Sequence, residues 1–182
     1  MKDILVKEIM IPISDYVTVR KNDNLTEVLR AIEERRTTEQ GHAHRDAIVV
    51  DENDRFVGKV TMIDIFRSLE PSYRKTKKEE ERQQTLTDAF VQNAVKDFKL
   101  WLEPLESVCE RGSKVTVAEA MHIPEKSEYL EEDDSLETAM NYYVMGVHQP
   151  LIVRKGDAVT GILRFGDVFE VVREQLVSCA LG

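Results

Sequence analysis

The chain is poor in cysteine, in positive charge, in long apolar runs and in recognisable catalytic groupings. Its two cysteines, Cys109 and Cys179, do not make a disulfide framework. Lysines and arginines number 25 against 34 aspartates and glutamates, a net charge of −9. That balance argues against non-specific capture of nucleic acid or anionic membrane, so an anionic ligand would need basic groups clustered locally. No apolar run approaches the ~20 residues that span a bilayer. Lys2, Asp3, Lys7 and Glu8 interrupt the start, so a signal peptide is not expected and a soluble, cytoplasmic protein is.

Catalytic patterns are equally scarce. No Ser/His/Asp or Cys/His arrangement stands out, and Cys109 falls in an expected loop with no recognisable partner. Gly58-Lys59-Val60-Thr61 superficially matches the end of a phosphate-binding Walker loop. It fails on two counts: Asn53 stands where the first glycine is needed, and Thr61 does not directly follow Lys59. His42 and His44 share a polar stretch, yet no carboxylate or cysteine accompanies them at a metal-ligand spacing. The expectation is a binding protein, not an enzyme, with no metal.

What the chain does have is a core and a rhythm. Its 182 residues are 42% hydrophobic, enough for one ordinary domain or two small ones. Residues 3–10 read as a short helix that Pro12 ends, and residues 16–19 as a strand. Asn24 and Glu27 have a capping-box spacing. Leu25, Val28, Leu29 and Ile32 then form one buried helix face. Residues 37–45 read as a loop, 47–50 as a buried strand and 55–60 as its hairpin partner. A helix follows from Thr61, giving the order β, α, β, β, α.

The stretch Gly58-Lys59-Val60-Thr61-Met62-Ile63-Asp64 returns as Gly161-Ile162-Leu163-Arg164-Phe165-Gly166-Asp167. Each copy reads as a strand end, a tight turn and a first helical turn. Thr61 and Asp64, three apart, can face the same cleft. A helix start suits an anion, a hydroxyl can meet a phosphate, and a carboxylate can accept from ribose hydroxyls. The competing reading is that both aspartates merely favour a helix start. The repeat is wider than this stretch. Positions 121 and 10, and 136 and 25, differ by 111; positions 150 and 47, 161 and 58, and 167 and 64, differ by 103. One eight-residue difference, in the helix-to-strand loop, reconciles the two offsets, which marks an internal duplication. Met10 and Met121 fall at core-facing positions of the two openings.

Both copies resemble CBS domains, the cystathionine-beta-synthase type. The residues that carry the resemblance are Ile9-Met10, Val17-Thr18-Val19, Ala47-Ile48-Val49-Val50-Asp51 and Gly58…Thr61…Asp64. In the second copy they are Ala120-Met121, Gln149-Pro150-Leu151-Ile152-Val153 and Gly161…Asp167. The resemblance implies an α/β (α+β) fold of two CBS repeats, residues 3–70 and 115–176, related by pseudo-two-fold symmetry. A helical insertion, residues 71–114, would lie between them. It implies a stand-alone Bateman-type regulatory module whose two clefts take AMP, ADP, ATP or S-adenosylmethionine, with no required cofactor. Asp64 and Asp167 would bind ribose and Thr61 a phosphate. Tyr16 and Val17 would complete the Asp167 pocket, and Ser127 to Tyr129 the Asp64 pocket. Arg45, Asp46 and Ala47, with His148, Gln149 and Pro150, would line the clefts. Arg164 departs from the family pattern: it could hold a phosphate bidentately, fill the cleft, or pair with Asp167.

In the insertion, Leu86, Ala89, Phe90, Ala94, Phe98, Trp101 and Leu102 fall on one helical stripe that Pro104 and Gly112 should close. The stripe is either extra core or a dimer or partner surface. Two functions follow. One is a ligand sensor that signals to a partner or through its oligomeric state, with a homodimer expected. The other is a structural or interaction module with vestigial clefts.

Overall fold

A computed structural model describes residues 4–38, 45–73, 87–98 and 102–180. In chain order the strands are β1 (Ile11–Pro12), β2 (Thr18–Arg20), β3 (Ala47–Val50), β4 (Phe56–Val60), β5 (Tyr129–Glu131), β6 (Leu151–Lys155) and β7 (Ala158–Leu163). The α-helices of the described residues are α1 (Leu25–Thr38), α2 (Met62–Leu69), α3 (Asp88–Asp97), α4 (Leu105–Lys114), α5 (Val117–Ala120), α6 (Leu136–Val144) and α7 (Phe165–Ala180). Both repeats show the order β, α, β, β, α, in two sheets of a mixed α+β fold. The chain divides into two compact units, Val17–His122 and Met1–Tyr16 with Ile123–Gly182.

In the unit Val17–His122 the sheet order is β2-β3-β4, with β2 parallel and β4 antiparallel to β3. The expected capping box opens α1: Asn24 Oδ1 accepts from the Glu27 N–H at 3.1 Å, and Glu27 Oε2 from the Asn24 N–H at 2.7 Å. Leu25 and Val28 then bury against Val19, Val49, Val60 and Ile65, and Met121 packs on this core as expected. Leu29, at the margin of the stripe, is exposed instead of buried.

The insertion departs from expectation. α3 spans only Asp88–Asp97 and buries nothing; Phe98 is already extended, while Leu86 and Trp101 lie outside the described residues, as do His42 and His44. Pro104 does not end a helix but precedes α4, where its fixed φ suits a helix start. Gly112 lies inside α4, buried beside Leu69 and Thr26. α4 packs on α1 and α2, and Arg111 donates to the Leu69 carbonyl and to Glu103.

The other unit carries the sheet β1-β7-β6-β5. Its core gathers Val6, Leu130, Leu136, Tyr143, Leu151, Leu163 and Val168, with Met10 packed against it. The helix expected at residues 3–10 is absent over the described residues 4–10: Val6–Glu8 is a single 3-10 turn, and Ile11–Pro12 pairs with β7. The strand expected at 16–19 is displaced to Thr18–Arg20.

Each unit draws its opening segment from the other repeat, and the two exchanges match bond for bond. The Val117 N–H donates to the Asp23 carbonyl at 2.7 Å and the Val6 N–H to the Asp134 carbonyl at 2.9 Å. The Leu25 N–H donates to the Val115 carbonyl at 3.1 Å and the Leu136 N–H to the Ile4 carbonyl at 2.9 Å. Every one of these pairs is related by the 111-residue offset (117 − 6, 134 − 23, 136 − 25, 115 − 4). Arriving segments then cross two glycines. A Cβ on Gly58 would stand 2.9 Å from the His122 carbonyl oxygen, and one on Gly161 2.9 Å from that of Ile11 and 2.5 Å from Met10 Sδ. Gly58→Ala and Gly161→Ala are each expected to cost about 1–3 kcal/mol by overpacking. Urea unfolding measures this, and unchanged midpoints would show that the segments part from the strands without penalty.

Candidate functional site

Strand register brings the first set of candidate residues to one end of a sheet. In the unit Val17–His122, β3 starts at Ala47, opposite Val60 at the end of β4. The Ile48 N–H donates to the Val17 carbonyl at 2.9 Å. Val17, Asp46, Ala47 and Thr61 therefore share this end, with Arg45 exposed at its margin. α2 starts here, with Thr61 as its N-cap in extended conformation.

Thr61 and Asp64 are bonded to each other. Asp64 Oδ2 accepts from the Thr61 N–H at 2.9 Å and from the Thr61 hydroxyl at 2.6 Å, and the Asp64 N–H donates to Thr61 Oγ1 at 3.4 Å. Both side chains are buried, Asp64 being 7% exposed. The plain capping role weighed above is therefore real, since a carboxylate in the first turn also favours the helix dipole. It uses one oxygen only. Among the described residues Oδ1 accepts nothing, and a carboxylate oxygen has two lone pairs to offer.

The other unit repeats the layout. Tyr129 pairs with Ile152 and Leu151 with Leu163, so Tyr129, Pro150 and Arg164 lie at the corresponding end of its sheet. Pro150 is buried behind a cis peptide bond from an exposed Gln149. Ser127 is exposed on the 3-10 turn Lys126–Glu128. Tyr16 is buried in this same unit, directly after the 3-10 turn Ile13–Asp15 that packs on β7. Ser127 and Tyr129 thus belong to the unit that holds Asp167, and Val17 to the unit that holds Asp64.

Of the alternatives open for Arg164, the side chain takes the pairing with Asp167. Nε donates to Oδ2 and Nη2 to Oδ1, each at 2.7 Å, with both side chains 16% exposed. Tyr143 reinforces this junction. Its hydroxyl donates to the Leu163 carbonyl at 2.6 Å, and its ring lies 5.1 Å from that of Phe165.

Three side chains at these junctions had no role of their own in the sequence reading. Glu128 is buried next to His148, with Oε2 3.7 Å from Nδ1, and its Oε1 accepts from the Glu125 N–H at 3.0 Å. Its position three after Glu125 was the available signal. Lys59 is fully buried opposite Ile48, at the place Ile162 takes in the second repeat. Aligning the repeats residue by residue exposes it, as it does Tyr143 at the place of Ile32. Burial lifts the Tyr129 phenol above its usual range, the Glu128 charge adds to this, and the Arg154 guanidinium, 5.5 Å from the ring centre, opposes it.

Residues 6–71 match the family model of the CBS domain. No curated protein matches the chain. Several solved structures share its fold. The CBS domain of a membrane protein from Sphaerobacter thermophilus is 23% identical, with a TM-score of 0.58 over 93% of this chain and 88% of that one. CBSX2, a CBS-pair protein of Arabidopsis thaliana, in complex with AMP, is 17% identical, with a TM-score of 0.60 over 94% and 97%. The CBS domain of a bacterial CNNM/CorC family Mg2+ transporter in complex with ATP is 18% identical, with a TM-score of 0.56 over 93% and 87%. At these identities the likeness is one of fold.

Removing the Thr61 hydroxyl tests the cap alone. Thr61→Ala is expected to lower stability by about 1 kcal/mol, and Thr61→Ser to restore most of it. Thermal melting of both variants checks this; equal melting of Thr61→Ala and the parent would show that the cap contributes nothing.

Proposed function

We propose that this protein is a regulatory binding module for an adenosine ligand. AMP, ADP, ATP or S-adenosylmethionine would bind at the sheet end that carries Thr61 and Asp64. The observation behind this reading is the state of Asp64: held in place by Oδ2, with Oδ1 left to accept from vicinal ribose hydroxyls. The AMP of CBSX2 and the ATP of the transporter domain, bound by proteins of the same fold, support the ligand class. Val17, Asp46 and Ala47 frame the pocket, and Arg45 at its margin supplies a cation. A phosphate that took the Thr61 hydroxyl would draw it from Asp64 Oδ2 and so loosen the cap of α2. That gives occupancy a structural consequence, and only a ligand that distinguishes the two cap states shifts their balance.

The output of the module is proposed to be an oligomeric state, a homodimer. Each repeat exposes the same apolar helix face. Met62 and Phe66 on α2 correspond at the 103-residue offset to Phe165 and Phe169 on α7, and Phe66 and Phe169 are 47% and 53% exposed. Large apolar side chains exposed at duplicated positions favour a surface that a second copy covers. Phe66→Glu and Phe169→Glu are expected to turn a dimer into monomers in light scattering, and an unaltered mass would exclude these faces.

Thermal melting with each of the four ligands tests the binding reading. A ligand present at about a hundred times its dissociation constant adds about 2.7 kcal/mol, several degrees for a chain of this length. The expected result is a rise with at least one ligand that Asp64→Ala abolishes. No rise with any of the four would favour the interaction module with vestigial clefts.

A further inference from the structure

We propose that Arg164 closes the second helix start to nucleosides, so that the chain takes one adenosine ligand and not two. The inference rests on the reading of Asp64 given above and adds the stoichiometry and the residue that sets it. At the Asp64 site the capping donors occupy one oxygen. At the Asp167 site a guanidinium fork occupies both, at 2.7 Å each. A fork presents two parallel N–H groups to the two carboxylate oxygens. Vicinal ribose hydroxyls would approach the same edge of the carboxylate, but as neutral donors. They would have to replace two charge-assisted bonds and leave Arg164 without its carboxylate, and charge-assisted bonds are roughly twice as strong as neutral ones.

A second, independent contact distinguishes this junction from that of the first repeat. The residues on either side of Arg164 are held, which fixes the backbone position from which the fork reaches Asp167. The Tyr143 hydroxyl holds the Leu163 carbonyl, and the Tyr143 ring lies against Phe165. The first repeat has Ile32 at the Tyr143 position and so has no hydroxyl to offer there. Both differences between the repeats act in the same direction, and they make Arg164 the residue that determines which helix start is open.

Titration calorimetry of the full chain with AMP tests this. The parent is expected to bind one AMP and Arg164→Thr, which installs the residue of the first repeat, two. The second site of Arg164→Thr should survive when Asp64→Ala is added. If the parent binds none and Arg164→Thr one, the reading of Asp64 fails while the closure by Arg164 stands. Equal stoichiometry in the parent and a folded Arg164→Thr would overturn the closure. A measurement on the parent covers the case in which that variant does not fold. The Nε–H resonance of Arg164, identified by its absence in Arg164→Lys, is expected to exchange slowly and to persist at saturating AMP and at saturating ATP. Its loss with either nucleotide would show that the ligand displaces the fork, and the proposal would fall.

Discussion

Each sheet is finished by a piece of chain that belongs to the other repeat, and where that piece lands there is no room for a side chain. The constraint is geometric before it is energetic. The Lys59 and His122 backbones exchange hydrogen bonds at 3.0 and 2.8 Å across Gly58, and Ile11 pairs with Ile162 next to Gly161. Backbone groups at a strand edge must find partners when buried. Here the partners arrive from far along the chain. The two capping turns, the buried faces of α1 and α6, and the position of each strand-to-helix junction all follow from that pairing. Met10 and Met121 belong to the same arrangement, since each arrives with the segment that needs the glycine.

The two junctions show how a duplicated scaffold diverges without losing its frame. Offsets of 111 and 103 residues carry every bond of the exchange from one repeat to the other, yet the polar groups at the helix starts have been rewritten. A hydroxyl bonds a carboxylate in one and a guanidinium does so in the other. Only the Thr61 hydroxyl also caps its helix, but both solutions satisfy an aspartate that would otherwise be costly to bury. They differ in what remains on offer to a ligand. Burial of Lys59 at the place that an isoleucine takes in the other repeat is a third divergence, in a strand and not at a helix start.

The repeat, the order of elements and the capping box at Asn24 were legible because each rests on local pattern: period, spacing and turn chemistry. The shape of the opening segments was not. Residues 3–10 have the apolar spacing of a helix, but their backbone donors are claimed by Asp134 and Glu132 more than 120 positions away, and tertiary pairing overrides local preference. Pro104 was misjudged because a proline that stops one helix also serves to start another. Gly112 was misjudged because its neighbours, Leu69 and Thr26, are remote in sequence. At the candidate site the identities of Thr61, Asp64, Arg164 and Asp167 were legible from the motif. Which oxygen of which aspartate is occupied was not, because that depends on the rotamers that the packed junction allows. The hydroxyl of Tyr143 was hidden for the same reason: it sat on a helix face whose pattern spoke only of burial.

The exchange of opening segments also has a direction in time. A ribosome delivers the chain from its first residue onward. The unit Val17–His122 is continuous in sequence, so all its parts are available once His122 has emerged. The first sixteen residues belong to the other unit, and the partners of Val6, Lys7 and Ile11 are Asp134, Glu132 and Ile162. Those bonds cannot form until the residues up to Ile162 have been made. That segment therefore leaves the ribosome well before its partners do, and its apolar residues Ile4, Leu5, Val6 and Ile9 lack their native cover until the second repeat follows.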